Sequence, residues 1–179
     1  MWNRACAKPL RKPPEVTHGA DVHPPRLYGT DSEVRRVAAG LVARTLPRPE
    51  WTHEGHIAAV CVLILERPEH VLEQELPEII SLYNVAVGGV NDSIQGYHET
   101  LTQFWIANAR AFLADNAEGT LVERINSFIA SPEGRRDAPL RHFSRDRLFS
   151  VEARLSLVEP DLMRFPWDTS GHAAPAPQL

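Results

Sequence analysis

The sequence predicts an all-α protein, a four- to five-helix bundle between disordered Pro-rich N- and C-terminal tails. Three observations carry that prediction. Apolar residues recur at spacings of three and four in successive segments, and no stretch alternates with period two over a useful length. The nine residues Ile57 to Leu65 are all apolar, so as a helix they would be buried on every side, the central member of a bundle. Helix starts and stops, built from Thr, Ser, Gly and Pro, punctuate the chain between the apolar segments.

Residues 1–30 hold five of the 15 prolines and five basic residues against Glu15 and Asp21. They read as a disordered basic arm, with a nucleic-acid anchor as the sharper alternative. The helical domain is expected over 31–165. Thr30-Asp31-Ser32 is a plausible N-cap for a first helix through Val34, Val37, Ala38, Leu41, Val42 and Leu46, which Pro47 and Pro49 stop. Thr52 can cap a second helix that ends near Arg67-Pro68. A third runs from Glu69 to Val87 through Leu72, Leu76, Ile79, Ile80 and Tyr83, with Pro77 expected to kink or split it. Gly88 to Ser93 reads as a loop. A fourth helix follows Gly96, and Thr120-Leu121-Val122-Glu123 has capping-box spacing for a fifth that Ser131-Pro132 ends. The block 139–150 alternates arginine with Leu140, Phe143, Leu148 and Phe149, whose apolar members should dock on the bundle. Residues 166–179, rich in Pro and Ala, read as a second disordered tail.

Bulk properties narrow the function classes. A chain of 179 residues fits one domain with a sizeable core. The net charge of -4 gives no general attraction to nucleic acid or anionic membrane. No apolar run approaches the roughly 20 residues of a membrane helix. The first residues lack the apolar core of a signal peptide, and Cys6 and Cys61 sit in unlike contexts, so a reducing cytoplasm is expected. Oligomeric state is not legible.

Chemistry is best sought where titratable groups open the dry helix. His53 and His56 are three apart and so share a helix face, with Glu54 between them. A second helix start carries His98 and Glu99. If the two ends meet, His53, His56 and His98 supply three nitrogens to a divalent metal, Zn or Fe, with a position left open. Glu99 would be a fourth ligand or the base, His98 a base where no metal is bound, and Glu54 a partner orienting an imidazole. Each histidine has a plainer use, bonding a nearby carbonyl or carboxylate, and each glutamate stabilises a helix start through the dipole. Arg141, Arg145 and Arg147, with Ser144 and Ser150, form the other candidate set, and Arg141 and Arg145 would be a guanidinium clamp on a substrate carboxylate or phosphate. Their plainer use is pairing with residues 66–80, where five glutamates face Arg67. Tyr83 and Tyr97 are candidate pocket liners. Trp51 and Trp105 should pack near the histidines and keep that end dry. Cys61 reads as inert core.

Three blocks, Trp51-Thr52-His53-Glu54-Gly55-His56, Gly96 to Trp105, and Ser144 to Ser150, resemble those of a group of small uncharacterised bacterial helical proteins. The likeness covers roughly residues 48–162 and implies no activity. A looser likeness of architecture is to DinB-like metal-binding helical bundles, which implies a histidine site among the helices. There the close histidine pair is late and spaced by four, whereas here it is early and spaced by three. The leading expectation is a small metal-dependent enzyme acting on a small anionic metabolite. The rivals are a metal-free histidine acid–base enzyme (hydrolase, isomerase or cyclase) and a non-catalytic ligand- or partner-binding helical module.

Overall fold

Thr30 opens the first helix, α1 (Asp31–Val42), by accepting the Glu33 N–H on its hydroxyl. A computed structural model describes residues 24–165 of the chain, and α1 is the first of seven helices among them, with no strand. A short 3-10 turn at Arg48–Glu50 leads into α2 (His53–Glu66), whose cap is Thr52, as its position predicts. The chain then forms α3 (Leu72–Ala86), α4 (Glu99–Asp115) and α5 (Leu121–Ala130). The predicted capping box is present at α5, where Thr120 and Glu123 each satisfy the other's backbone N–H. A second 3-10 turn, Ala138–Arg141, precedes two short helices, α6 (Arg145–Leu148) and α7 (Val151–Leu155).

Helix α2 is the centre. Ile57 to Leu63 are seven consecutive buried residues, and α1, α4 and α5 all pack on this helix. Its apolar character on all faces therefore has the predicted cause. The main core joins α1 to α5, and it includes Tyr28 from the segment before α1. A second, smaller core lies between α4 and the C-terminal segment, where Phe104 meets Phe143, Leu148, Ala153, Val158 and Phe165. The apolar members of the 139–150 block dock there, apart from Phe149, which is exposed.

Two expectations are corrected. Of the kink or split expected at Pro77, the split does not occur, since α3 runs continuously through it. A proline lacks the N–H that would bond the carbonyl four residues back, here that of Glu73. The buried Gln103 of α4 supplies the missing donor, its amide reaching the Glu73 carbonyl at 2.9 Å. The second correction concerns the N-terminal boundary. Tyr28 is buried, and the Asn126 side chain accepts its N–H at 3.0 Å and donates to its carbonyl at 2.9 Å. Ordered packing thus begins ahead of residue 31. The readings of residues 1–23 and 166–179 lie outside the described residues.

Candidate functional site

The cap at Thr52 fixes the start of α2 and with it both early histidines. The Thr52 hydroxyl accepts the Gly55 N–H at 3.2 Å and donates to the Glu54 carboxylate at 2.8 Å. Gly55 is required here, since a Cβ would stand 2.5 Å from the Glu50 carbonyl oxygen. His56 bonds the Thr52 carbonyl through Nδ1 at 2.6 Å and lies against Trp51, with ring centroids 3.6 Å apart. A carbonyl only accepts, so Nδ1 carries the proton. Burial presses the His56 pKa down to about 4, against the carbonyl bond that would raise it. Trp51 in turn meets Tyr83 edge-on at 5.2 Å, and the buried Tyr83 hydroxyl donates to the Leu46 carbonyl at 3.1 Å. Burial raises the pKa of that hydroxyl.

His53 turns another way. Its Nε2 bonds the Gly134 carbonyl at 2.7 Å, and its ring sits edge-on to Trp105 at 5.1 Å. Both tryptophans therefore lie beside histidines, as predicted. Gly134 can approach because it has no Cβ: one added there would fall 1.9 Å from the Phe128 carbonyl oxygen. Glu54 is 9% exposed. Burial pushes its carboxyl pKa up, but its own backbone N–H, the Thr52 hydroxyl and the more distant Arg136 guanidinium together hold it below the usual value.

His98 takes the plainer of the uses expected of it, a bond to a carbonyl, and neither the ligand nor the base role. It is the N-cap of α4: Nδ1 accepts the Leu101 N–H at 3.3 Å, while Nε2 donates to the Leu148 carbonyl at 3.0 Å. Both ring nitrogens are consumed, and the ring is only 8% exposed. Burial, then the nearby Arg154 charge, presses its pKa to about 4. It stands at the other end of the site from His53. That ring contacts Trp105, seven residues further along α4, which at 1.5 Å per residue is about 10 Å of helix.

The proposed metal centre is therefore not assembled. A zinc or iron ion needs each nitrogen within about 2.1 Å. His98 has no lone pair left to offer, and His53 and His56 point to different neighbours. Among the described residues, no three His, Cys, Asp or Glu side chains are grouped to hold a metal ion. Glu99 has a structural partner set instead: it accepts from the Tyr97 hydroxyl at 2.7 Å and the Gln103 amide at 2.8 Å. Burial, then this carboxylate, raises the Tyr97 pKa. Tyr97, like Tyr83 and Trp51, is thus an internal brace.

The arginine set is corrected in both its uses. Arg141 donates to the Pro132 carbonyl at 3.0 Å and lies 4.0 Å from Glu133. Arg145 stacks over Phe149 at 5.5 Å. Arg147 pairs with Glu152. Neither clamp nor bond to the 66–80 face forms. Those glutamates find Arg35, His70 and Arg110 instead.

A concave feature among the described residues lies elsewhere, where α1, α2 and α3 meet. It is a cavity of about 450 Å³. Ala38, Ala39, Val42 and Ala43 of the α1 side, Val62 and Leu63 of α2, and Leu72 and Ile79 of α3 make it predominantly apolar. Arg35, Glu66, Arg67, His70 and Glu75 are its only charged or titratable lining. On the α1 side three of its four apolar lining residues, Ala38, Ala39 and Ala43, are alanines. Periodicity counts those alanines simply as apolar, so the sequence does not mark this space. No helix among the described residues is long and apolar enough to cross a membrane. No family model, curated protein or solved structure matches the chain.

Proposed function

We propose that this protein is a helical ligand-binding module whose site is the cavity between α1, α2 and α3. The observation that carries the reading is the cavity itself. Its volume falls in the range of small-molecule sites, about 300–1,000 Å³, and its apolar walls with a few polar groups have the usual character of such sites. The histidines at the starts of α2 and α4 serve the scaffold, each bonded to a backbone carbonyl. That favours the binding reading over either enzyme reading, because the imidazoles are committed to the fold.

Thermal unfolding in the presence of a panel of small apolar and amphipathic molecules tests this. A binder raises Tm with concentration. Ala39→Trp, which introduces a large side chain from an exposed position of α1, should abolish the shift. A panel that leaves Tm unmoved, or shifts that persist in Ala39→Trp, would overturn the reading.

A further inference from the structure

Between Glu78 and Glu99 the chain carries one charged side chain, Asp92. The stretch covers the second half of α3 and the loop into α4, and much of it faces solvent. Leu82, Val85, Val90 and Ile94 are all exposed, Ile94 by 76%. A run without charge is ordinary in a core. On a wet surface it is the composition of a contact, since the centre of an interface is depleted in charge and enriched in apolar area.

The loop holds these side chains in place. Asn91 clasps it to the end of α3. The Asn91 amide donates to the Ser81 carbonyl at 2.9 Å, and its side-chain oxygen accepts from the Asn84 amide at 2.9 Å and the Tyr97 N–H at 3.0 Å. Gly96, at a φ of 79°, closes the loop on itself, where a Cβ would stand 2.0 Å from the Val90 carbonyl oxygen. Val90 and Ile94 are thus fixed at the end of α3 that carries Leu82 and Val85, which are three apart and share a helix face. Helix α7 adjoins the same loop. Arg154 donates to the Gly96 and Tyr97 carbonyls at 3.2 and 3.0 Å, and next to it Leu155 is 65% exposed, with exposed Val151 one turn before. Six apolar side chains on ordered backbone make a patch of the order of a few hundred Å², the size that marks an interaction site on a monomer.

The charges around the patch say what covers it. Glu152 is paired with Arg147. Asp92 is turned into its own loop, accepting the Ile94 and Gln95 N–H groups at 2.9 Å. Those bonds, and then the nearby Arg154 charge, hold its carboxyl pKa below the ordinary value. Asp92 and Arg154 are therefore neighbours of opposite sign. We propose that this face docks a second copy of the chain in a two-fold dimer. A two-fold contact sets one patch against itself, residue i on j and j on i. A patch of one sign would repel its copy. This one sets apolar side chains against each other and the Asp92 of each copy toward the Arg154 of the other. The glutamates of residues 66–75, which would repel a copy, lie before and in the first turn of α3, away from the contact. Because the loop is already ordered, pairing loses little conformational freedom there. An interface of standard size takes about 800 Å² from each partner, so a patch of this size supports a dimer of modest affinity, in the micromolar range.

Sedimentation of the full chain from about 1 to 200 µM tests this. The unaltered chain should shift from monomer to dimer across that range. Ile94→Glu and Val85→Glu, at side chains that face solvent in the single chain, should each weaken the dimer at least tenfold with circular dichroism and Tm unchanged. Val71→Gln removes an exposed apolar side chain about 20 Å along α3 from Val85 and should leave the dimer intact. A chain that is monomeric throughout would overturn the proposal. So would a dimer that both glutamate variants leave unchanged, or one that Val71→Gln weakens equally. A monomer that instead co-sediments with phosphatidylcholine vesicles, and loses this in Ile94→Glu, would replace the second copy with a lipid surface.

Discussion

The bond between Gln103 and the Glu73 carbonyl can be isolated by a double-mutant cycle with Pro77. Gln103 is 3% exposed, and its amide stands in for the N–H that Pro77 cannot supply. Gln103→Met keeps most of the volume but removes the donor, leaving a backbone acceptor unmet at the α3–α4 interface. That costs about 1–3 kcal/mol. It also frees the Glu99 oxygen that Gln103 contacts. Pro77→Ala restores a donor to the same Glu73 carbonyl from within α3. In that background Gln103→Met loses only the Glu99 contact and the packing difference, and those losses, present in both backgrounds, cancel in the cycle. The expected coupling is about 1–2 kcal/mol, with the cost of Gln103→Met smaller when residue 77 is alanine. Urea unfolding of the four proteins at one pH reads it. A coupling below about 0.5 kcal/mol would refute the claim that this amide replaces the missing N–H.

Four further outcomes follow from the same geometry. His98→Ala should cost about 2–4 kcal/mol in urea unfolding, because α4 loses its cap and the Leu148 carbonyl loses its donor; a change below 0.5 kcal/mol would contradict the bonding described. His98→Asn can still cap but cannot titrate, so it isolates a pH effect. Folded His98 takes its proton only near pH 4, whereas the unfolded chain does so near 6.5. The unfolded state thus binds more protons between those values, and stability falls as pH drops through them, by about 2 kcal/mol from pH 7 to 5. His56 slopes the same way in both proteins, so His98→Asn should lose about 2 kcal/mol less than the unaltered chain over that range; equal losses would show that the ring is not held neutral. Asn126→Ala should cost about 1–3 kcal/mol and speed amide exchange at Tyr28, whose two backbone bonds it removes. Cys61, buried and with its pKa raised by that burial, should resist a thiol reagent in a Cys6→Ser background until denaturant is added.

The parts of this fold that were legible are those whose cause is local. Thr30, Thr52 and Thr120 announce helix starts because a hydroxyl reaches an N–H within three residues. The burial of α2 on all sides is legible because nine adjacent apolar residues allow no wet face. What escaped depends on partners distant in sequence. The Asn126 side chain that docks Tyr28 is 98 residues away from it, so nothing near Tyr28 distinguishes it from the arm. Gln103 lies outside α3, and the sequence of α3 alone reads as interrupted. The histidines were ambiguous for a chemical reason. The imidazole that can ligate a metal can equally donate to a carbonyl or cap a helix, and only the identity of its neighbours decides between these uses. The surroundings of the arginines are not legible because a guanidinium takes whatever oxygen or ring the fold brings to it, here the Pro132 carbonyl for Arg141, the Phe149 ring for Arg145 and Glu152 for Arg147.

The cavity carries its own cost, and that cost gives a last discriminating measurement. The space beside Val62 and Leu63 opens to solvent along Ala39, Val42 and Ala43, which are exposed, so apolar surface there stays wet. Ala39 is exposed on one side and borders the cavity, so Ala39→Leu adds apolar surface that can fold inward without displacing a neighbour. Filling substitutions of this kind stabilise by about 0.5–2 kcal/mol. If the space is a ligand site, the same substitution should raise stability in the absence of ligand while weakening the molecules that raise Tm, so the two changes have opposite signs. A mere packing defect would give the stability gain with no binding to lose. An Ala39→Leu protein that is neither more stable nor weaker in binding would mean that residue 39 does not border the site, and the assignment of the α1 face would fall with it.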